Sequence, residues 1–186
     1  MDDGGRPPGA PDEDVPLRQF WWLHDARWYQ GVLKRFGPEA ANEINAEAMK
    51  FVARRLAMWF RHRTRVDFNE LPMTEFVKWF ERIPALMWTD DMYEVSQTVL
   101  GEDEWETTVP KNFALQMLRI ARALDTYACP CLDMRAGWFE GMGVSVRDSC
   151  VECRRTGGDV CRFRAVVDRD ARRRTAPAAE APRDAP

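Results

Sequence analysis

The chain has 186 residues, of which 45% are hydrophobic and 31% are charged, and its formal net charge is -3. This charge balance argues against electrostatic attachment to nucleic acid or to an anionic membrane, and no apolar run reaches the roughly 20 residues of a membrane-spanning helix. We therefore expect a protein that binds neither nucleic acid nor membrane.

The compartment is predicted from the first residues and from the cysteines. The acidic start, Met1-Asp2-Asp3-Gly4-Gly5, lacks the basic and apolar segments of a secretion signal, and the five cysteines are an odd number. An odd number argues against a closed disulfide framework, which is typical of secreted proteins. These features predict a cytoplasmic protein with reduced thiols.

Composition along the chain predicts one domain between two tails. Residues 1–14 are rich in Asp, Pro and Gly, residues 170–186 are rich in Arg, Ala and Pro, and both segments are predicted to be disordered. The domain, 15–169, divides into a helical part, 15–84, and a cysteine-containing α+β part, 104–169.

The helical part shows clear start and stop signals. Apolar residues at helical spacing predict a first helix from Val15 to Arg35, with Pro16 in its first turn and Gly37 as its stop. A second helix follows from Pro38 to about Arg63. The break at Gly37 predicts a hairpin or a sharp corner between them.

A third helix is predicted from Thr74 to Ile83, with Thr74 as its cap and Pro84 as its end. The region 85–104 gives no clear pattern beyond a helix or a strand from Met92 to Leu100.

The last part of the chain alternates between strand and helix signals. The predicted elements are a strand in Glu104–Val109, helices in Asn112–Leu124 and Pro130–Met142, and strands in Val144–Glu152 and Val160–Val167. The last two strands form a C-terminal hairpin. This order predicts an α+β fold, with an N-terminal helical layer packed on a small mixed or antiparallel sheet.

The strongest chemical signal is the set of cysteines, Cys129, Cys131, Cys150, Cys153 and Cys161. Thiolates select zinc or iron–sulfur clusters, and a C-x-x-C pair can hold one metal ion from a tight turn. The spacing differs from that of a zinc ribbon, so metal or redox pairing of Cys150 with Cys153 remains open beside plain packing of both, and Cys161 is interpreted as a packing residue. Cys129 and Cys131 lie at a predicted helix start, where the helix dipole favours a reactive thiolate.

A polar pair, His24 and Asp25, interrupts an aromatic segment. Such a pair must be hydrogen-bonded in the core or face a cavity, since an unpaired buried group costs roughly 1–3 kcal/mol. The candidate walls of an apolar ligand pocket are Trp21, Trp22, Trp28 and Tyr29, and core packing is the alternative.

Several segments together carry a resemblance to a known family. They are Leu23–Tyr29, Phe36–Gly37, Ala40–Asn45, Tyr127–Cys129, Arg135–Trp138, Met142–Gly143, Cys150 and Gly158–Phe163. The chain resembles an uncharacterised bacterial family, one of the numbered domains of unknown function, that is grouped near L-2-amino-thiazoline-4-carboxylic acid hydrolases. The closing hairpin is similar to that of 4-vinyl reductase domains. The resemblance implies a small-molecule site under the hairpin, with Cys129, Cys150 and Cys161 as the matching cysteines.

These observations predict a cytoplasmic protein that binds a small amino- or thio-substituted molecule, and they leave open whether it is an enzyme. As a hydrolase it would use Cys129 as nucleophile or metal ligand, while His24 and Asp25 move the proton. The alternative is a non-enzymatic sensor in which the cysteines hold zinc or an iron–sulfur cluster. The sequence indicates no oligomeric state.

Overall fold

The computed structural model describes residues 17–169, so both predicted tails, Val15 and Pro16 lie outside the described residues. Helices α1 (Leu17–Thr64), α2 (Met73–Glu81) and α3 (Pro84–Met87) come first. They are followed by β1 (Tyr93–Val99), β2 (Glu104–Asn112), α4 (Phe113–Ile120), α5 (Cys131–Met142), β3 (Val146–Glu152), a 3-10 turn (Arg154–Thr156) and β4 (Cys161–Val167). The predicted α+β fold is confirmed.

Helix α1 is broken at Gly37, as the sequence predicts. Gly37 has φ 86° and ψ 173°, a backbone region that is essentially restricted to glycine, and Pro38 restarts the helix. The break divides α1 into a first arm, 17–36, and a second arm, 38–64. Tyr29 and Asn42 are hydrogen-bonded to each other across it, although a straight helix would separate them by about 20 Å. The break is therefore a sharp bend that brings the two arms together.

The boundaries near the second and third helices differ from the prediction. Helix α2 begins at Met73, one residue before Thr74, and Pro72 precedes it without a side-chain cap. Pro84 occupies the first turn of α3. The backbone N–H groups in the first turn of a helix have no partner within the helix, so a proline, which has no N–H, fits there. Proline can therefore start one helix as readily as it ends another.

The four strands form one antiparallel sheet in the order β1-β2-β4-β3. The ambiguous segment from Met92 to Leu100 is thus a strand, and it lies at the sheet edge. Buried residues alternate with more accessible ones along most of β2 and along β4, and Thr107 pairs with Phe163 between them. The predicted C-terminal hairpin is confirmed as β3 and β4. No helix among residues 17–169 has the length and apolar character needed to cross a bilayer.

Helix α5 packs against the second arm of α1, and two glycines permit this close approach. A Cβ atom on Gly137 would lie 2.4 Å from the carbonyl oxygen of Lys50, and one on Gly141 would lie 2.4 Å from that of Arg54. The other side of α5 carries Trp138 into an aromatic core. The two helix backbones therefore meet at the glycines, which fixes the position of α5 on the second arm of α1.

A buried ion pair joins α5 to the sheet. Arg135 donates from Nη2 to Asp148 Oδ1 at 3.1 Å, from Nε to the other carboxylate oxygen, and from Nη1 to Thr107 Oγ1 at 3.1 Å. Its guanidinium also lies 4.7 Å from the ring centre of Phe163. These contacts hold the first turns of α5, and with them Cys131, in a fixed position relative to β2, β3 and β4.

Candidate functional site

A cavity of about 70 Å³ lies between the two arms of α1, helix α4 and the start of α5. Most of its wall is apolar, and its aromatic lining residues are Trp22, Tyr29, Trp88, Phe113 and Tyr127. A few polar side chains share the lining, namely Asp25, Asn45, Asn112, Cys129 and Cys131. Apolar walls with a small number of polar groups are typical of small-molecule sites.

Asn42 connects the segment that carries Cys129 to α1. Its Oδ1 accepts hydrogen bonds from Tyr29 Oη at 2.8 Å and from the amide of Ala128 at 2.9 Å. Its Nδ2 donates to the carbonyl of Thr126 at 2.8 Å. Both polar atoms of the Asn42 side chain are thus hydrogen-bonded. The bend at Gly37 and the position of residues 126–129 therefore depend on each other.

Two tyrosines form one wall of the cavity. Tyr29 and Tyr127 meet edge to face, with ring centres 5.4 Å apart. Burial raises the pKa of both phenols, most strongly at Tyr127, so both stay protonated and neutral near pH 7. The predicted pocket residue Tyr29 therefore lines the cavity.

Cys129 and Cys131 are paired at the cavity. Their sulfur atoms are 2.8 Å apart, which is longer than the roughly 2.05 Å of a disulfide bond. The hydrogen bond from the Cys131 thiol lowers the pKa of Cys129, and the same contact, together with burial, raises the pKa of Cys131. A thiol with a lowered pKa that borders a cavity has the setting of a nucleophile.

The other cysteines lie on the closing hairpin. Cys161 is buried on β4, where desolvation raises its pKa to about 12, while Cys153 is half-buried beside it. Cys150 is exposed, and its thiol donates to the carbonyl of Glu152 at 3.2 Å. Within residues 17–169, no three His, Cys, Asp or Glu side chains are arranged to hold a metal ion. The zinc and iron–sulfur assignments therefore stay predictions.

The two members of the predicted polar pair point to different places. Asp25 is half-buried and lines the cavity, and burial raises the pKa of its carboxyl while the neighbouring His24 opposes that shift. His24 itself is exposed and stacks on Trp21 at 5.5 Å between ring centres. The structure therefore brings Asp25 to the same cavity as Cys129, and it leaves His24 outside.

The predicted aromatic wall is likewise divided. Trp21 is 67% exposed and borders a surface groove, whereas Trp28 is 65% exposed and borders neither the groove nor the cavity. The groove, about 530 Å³, runs between the two arms of α1. It shares Trp22, Asp25, Asn45 and Met49 with the cavity.

A small recess of about 20 Å³ continues on the inner side. It shares Trp88, Asn112, Cys131 and Met134 with the cavity, and Arg135 and Cys161 border it. Groove, cavity and recess therefore adjoin one another from the surface to the sheet.

Sequence reasoning missed several residues of this site. Trp88 and Phe113 form walls that depend on how distant segments pack, and no local pattern marks them, whereas the expected wall residue Trp22 does line the cavity. Asn42 had one usable signal, because an amide side chain inside a helix is expected to bond to a nearby backbone group.

The chain matches no family model and no curated protein. Among solved structures, it is similar to the crystal structure of a trafficking protein particle complex subunit 3 from Naegleria fowleri that is covalently bound to palmitic acid. The identity is 12%, the TM-score is 0.53, and the match covers 84% of this chain and 97% of the other. At this identity the likeness concerns the fold alone, and the resemblance to the bacterial hydrolase-related family stays a prediction.

Proposed function

We propose that this protein binds a small molecule that has an elongated apolar part. The observation that carries the proposal is the adjoining groove, cavity and recess, which share lining residues and are mostly apolar. Burial of an apolar chain stabilises a complex by roughly 0.8 kcal/mol per methylene. A chain that enters through the groove gains this contact along its length.

The polar residues of the cavity would orient such a ligand. Asp25 and Asn45 lie where the groove meets the cavity, and Cys129 lies on the wall that is formed by residues 126–131. A ligand with an amino group would meet the carboxylate of Asp25, and an electrophilic ligand would meet the thiol of Cys129. Both features agree with the predicted class of amino- or thio-substituted molecules.

The similar fold of the palmitate-bound subunit supports long-chain acyl compounds as the first ligands to test. Binding of palmitic acid, and of shorter fatty acids as a length series, is measured by calorimetry. Met49 borders both groove and cavity, so Met49→Trp fills the entrance and should weaken binding at least tenfold. Met58 is exposed on the same helix, and Met58→Trp is the matched control. Absence of binding to every member of the series, or equal binding by the two variants, would refute the proposal.

In an enzymatic form of this proposal, the protein hydrolyses its ligand at the same cavity. Cys129 borders it and has a lowered pKa, as a cysteine nucleophile requires, and Asp25 borders it as a second protic group. Incubation with L-2-amino-thiazoline-4-carboxylic acid tests this version, since ring opening by hydrolysis adds the mass of one water. Cys129→Ser should abolish that product, whereas Cys150→Ser should retain it.

The second candidate is a thiol sensor, which the 2.8 Å approach of Cys129 and Cys131 favours. Oxidation by a peroxide would join the two sulfur atoms and release two protons and two electrons to the oxidant. Mass analysis of the peroxide-treated protein should then show a loss of two mass units on the peptide with both cysteines. Metal analysis of the purified protein tests the zinc and iron–sulfur versions of the sensor.

A further inference from the structure

The second arm of α1 carries an apolar face that no described part of the chain covers. Ala53, Ala57 and Phe60 are buried on one side of the helix, against the rest of the protein. Phe51 lies on the opposite side and is 65% exposed, and Ile44 and Met58 lie seven residues before and after it. Seven residues are close to two helical turns, so these three side chains form one line about 21 Å long.

Val52 and Trp59 follow Phe51 and Met58 in sequence and are 51% and 55% exposed, so the exposed apolar residues of this arm are grouped. Grouped apolar surface marks an interaction site. Arg55 also lies on this face, but a long arginine stem can cover apolar surface while its charged end reaches water. The charged residues beside the face indicate which molecule covers it.

Charge along one flank of the line changes sign near Phe51. Glu43 and Glu47 lie on this flank before Phe51, while Arg54 and Arg61 lie on the same flank after it. All four are exposed. Lys50 lies on the same flank and pairs with Glu140 of α5 at 2.7 Å, and Glu140 also lies 4.0 Å from Arg54. The flank thus has an acidic half before Lys50 and a half after it that stays basic on balance.

We propose that two copies of this chain associate through the line Ile44–Phe51–Met58, with the two helices antiparallel and Phe51 at the twofold axis. In this arrangement Ile44 of one copy faces Met58 of the other, and the two Phe51 rings meet. A symmetric pair of this kind uses the same patch on both copies. The inference is independent of the proposed ligand site.

The charges select the antiparallel orientation. A twofold axis perpendicular to the helices brings the same flank of both copies together, with the acidic half of one beside the basic half of the other. Glu47 then approaches Arg54 of the second copy, and Glu43 approaches Arg61. In a parallel pair the two charged flanks would lie on opposite sides of the interface, so these ion pairs would not form.

Sedimentation of the full chain over a range of micromolar concentrations tests the proposal. The wild type should show a reversible monomer–dimer equilibrium, and Phe51→Glu should weaken dimerisation at least tenfold because two carboxylates meet at the axis. Phe36→Glu is the control, since Phe36 is similarly exposed on the first arm. Circular dichroism verifies that both variants stay folded.

Charge reversal tests the orientation. One variant carries Glu43→Arg and Glu47→Arg, and the other carries Arg54→Glu and Arg61→Glu. Each alone should dimerise at least tenfold more weakly than the wild type, and an equimolar mixture should form a heterodimer. A monomeric wild type at all concentrations, a dimer that is insensitive to Phe51→Glu, or a mixture that does not associate would overturn the proposal.

Discussion

Arg135 on α5 and Asp148 on β3 form an ion pair whose two side chains are only 3% and 9% exposed. Thr107 accepts a further hydrogen bond from the same guanidinium, and the ring of Phe163 lies beside it. A buried charge of this kind is stable only while its partner is present. The pair therefore fixes α5, and the cavity wall that begins at Cys131, on the sheet.

Removal of the carboxylate should destabilise the fold. We expect Asp148→Ala to lower the free energy of unfolding by about 3–5 kcal/mol, because Arg135 is left charged and buried without a counter-ion. Urea denaturation measures the change. The control is Glu104→Ala, which removes the exposed partner of Arg164 and should cost less than about 1 kcal/mol. Equal effects of the two substitutions would contradict a structural role for the buried pair.

The contact between α1 and α5 should not tolerate a single added methyl group. In Gly137→Ala the new Cβ would lie 2.4 Å from a backbone oxygen of α1, so the helices must separate. We expect a loss of about 1–3 kcal/mol in thermal or urea unfolding. Gly31→Ala is the matched control. Its Cβ would meet only the end of Arg35 at 3.4 Å, and alanine in a helix should stabilise by roughly 0.5–1 kcal/mol. Stabilisation by both substitutions would disprove the close approach.

Much of the fold could be predicted because local signals coincide with its boundaries. The bend at Gly37 follows from a glycine and a proline in sequence, and the closing hairpin follows from alternating residues around a glycine-containing turn. The segment Tyr93–Val99 remained ambiguous for a physical reason. As the edge strand of the sheet it is buried only in part, so its apolar pattern is weak.

The candidate site could be predicted only in part. Tyr29, Asp25 and Cys129 were expected at a ligand site, and the structure places all three around one cavity. Trp28 was expected there as well and is exposed, because the first arm has apolar residues on more than one face. Periodicity cannot decide which of these faces turns inward, since that depends on the direction of the bend at Gly37.

The stability of the protein should respond to pH through Asp25. Burial raises the pKa of this carboxyl above its ordinary value of 3.8, so the folded state disfavours the ionised form. The stability that the carboxyl contributes is fully present below pH 3.8 and is lost as the pH rises through the raised pKa of the folded state.

Replacement of the Asp25 carboxyl by an amide should therefore stabilise the folded protein most at neutral pH. We expect Asp25→Asn to raise the free energy of unfolding at pH 7, and this gain should shrink as the pH approaches 3.8. Urea titrations at several pH values measure it. Asp90→Asn, at an exposed position, is the control for loss of one negative charge. A gain that is independent of pH would show that ionisation of Asp25 is not its cause.

The cysteines should differ in their reactivity toward iodoacetamide. Cys129 borders the cavity and has a lowered pKa, whereas Cys161 is buried and its pKa is raised to about 12. Alkylation requires the thiolate and access to it, so we expect Cys129 to be labelled well before Cys161. Cys131→Ala removes the hydrogen bond that stabilises the Cys129 thiolate and should slow its labelling, while Cys150→Ala should leave the rate unchanged.

Timed labelling with peptide mass analysis, with and without a chelator, separates the possible outcomes. Simultaneous release of Cys129, Cys150 and Cys153 by the chelator would show a bound metal ion, because loss of one ion frees all of its ligands. Equal, slow labelling of Cys129 and Cys161 that the chelator does not change would instead show that neither thiol is reactive, and the nucleophile role of Cys129 would fail.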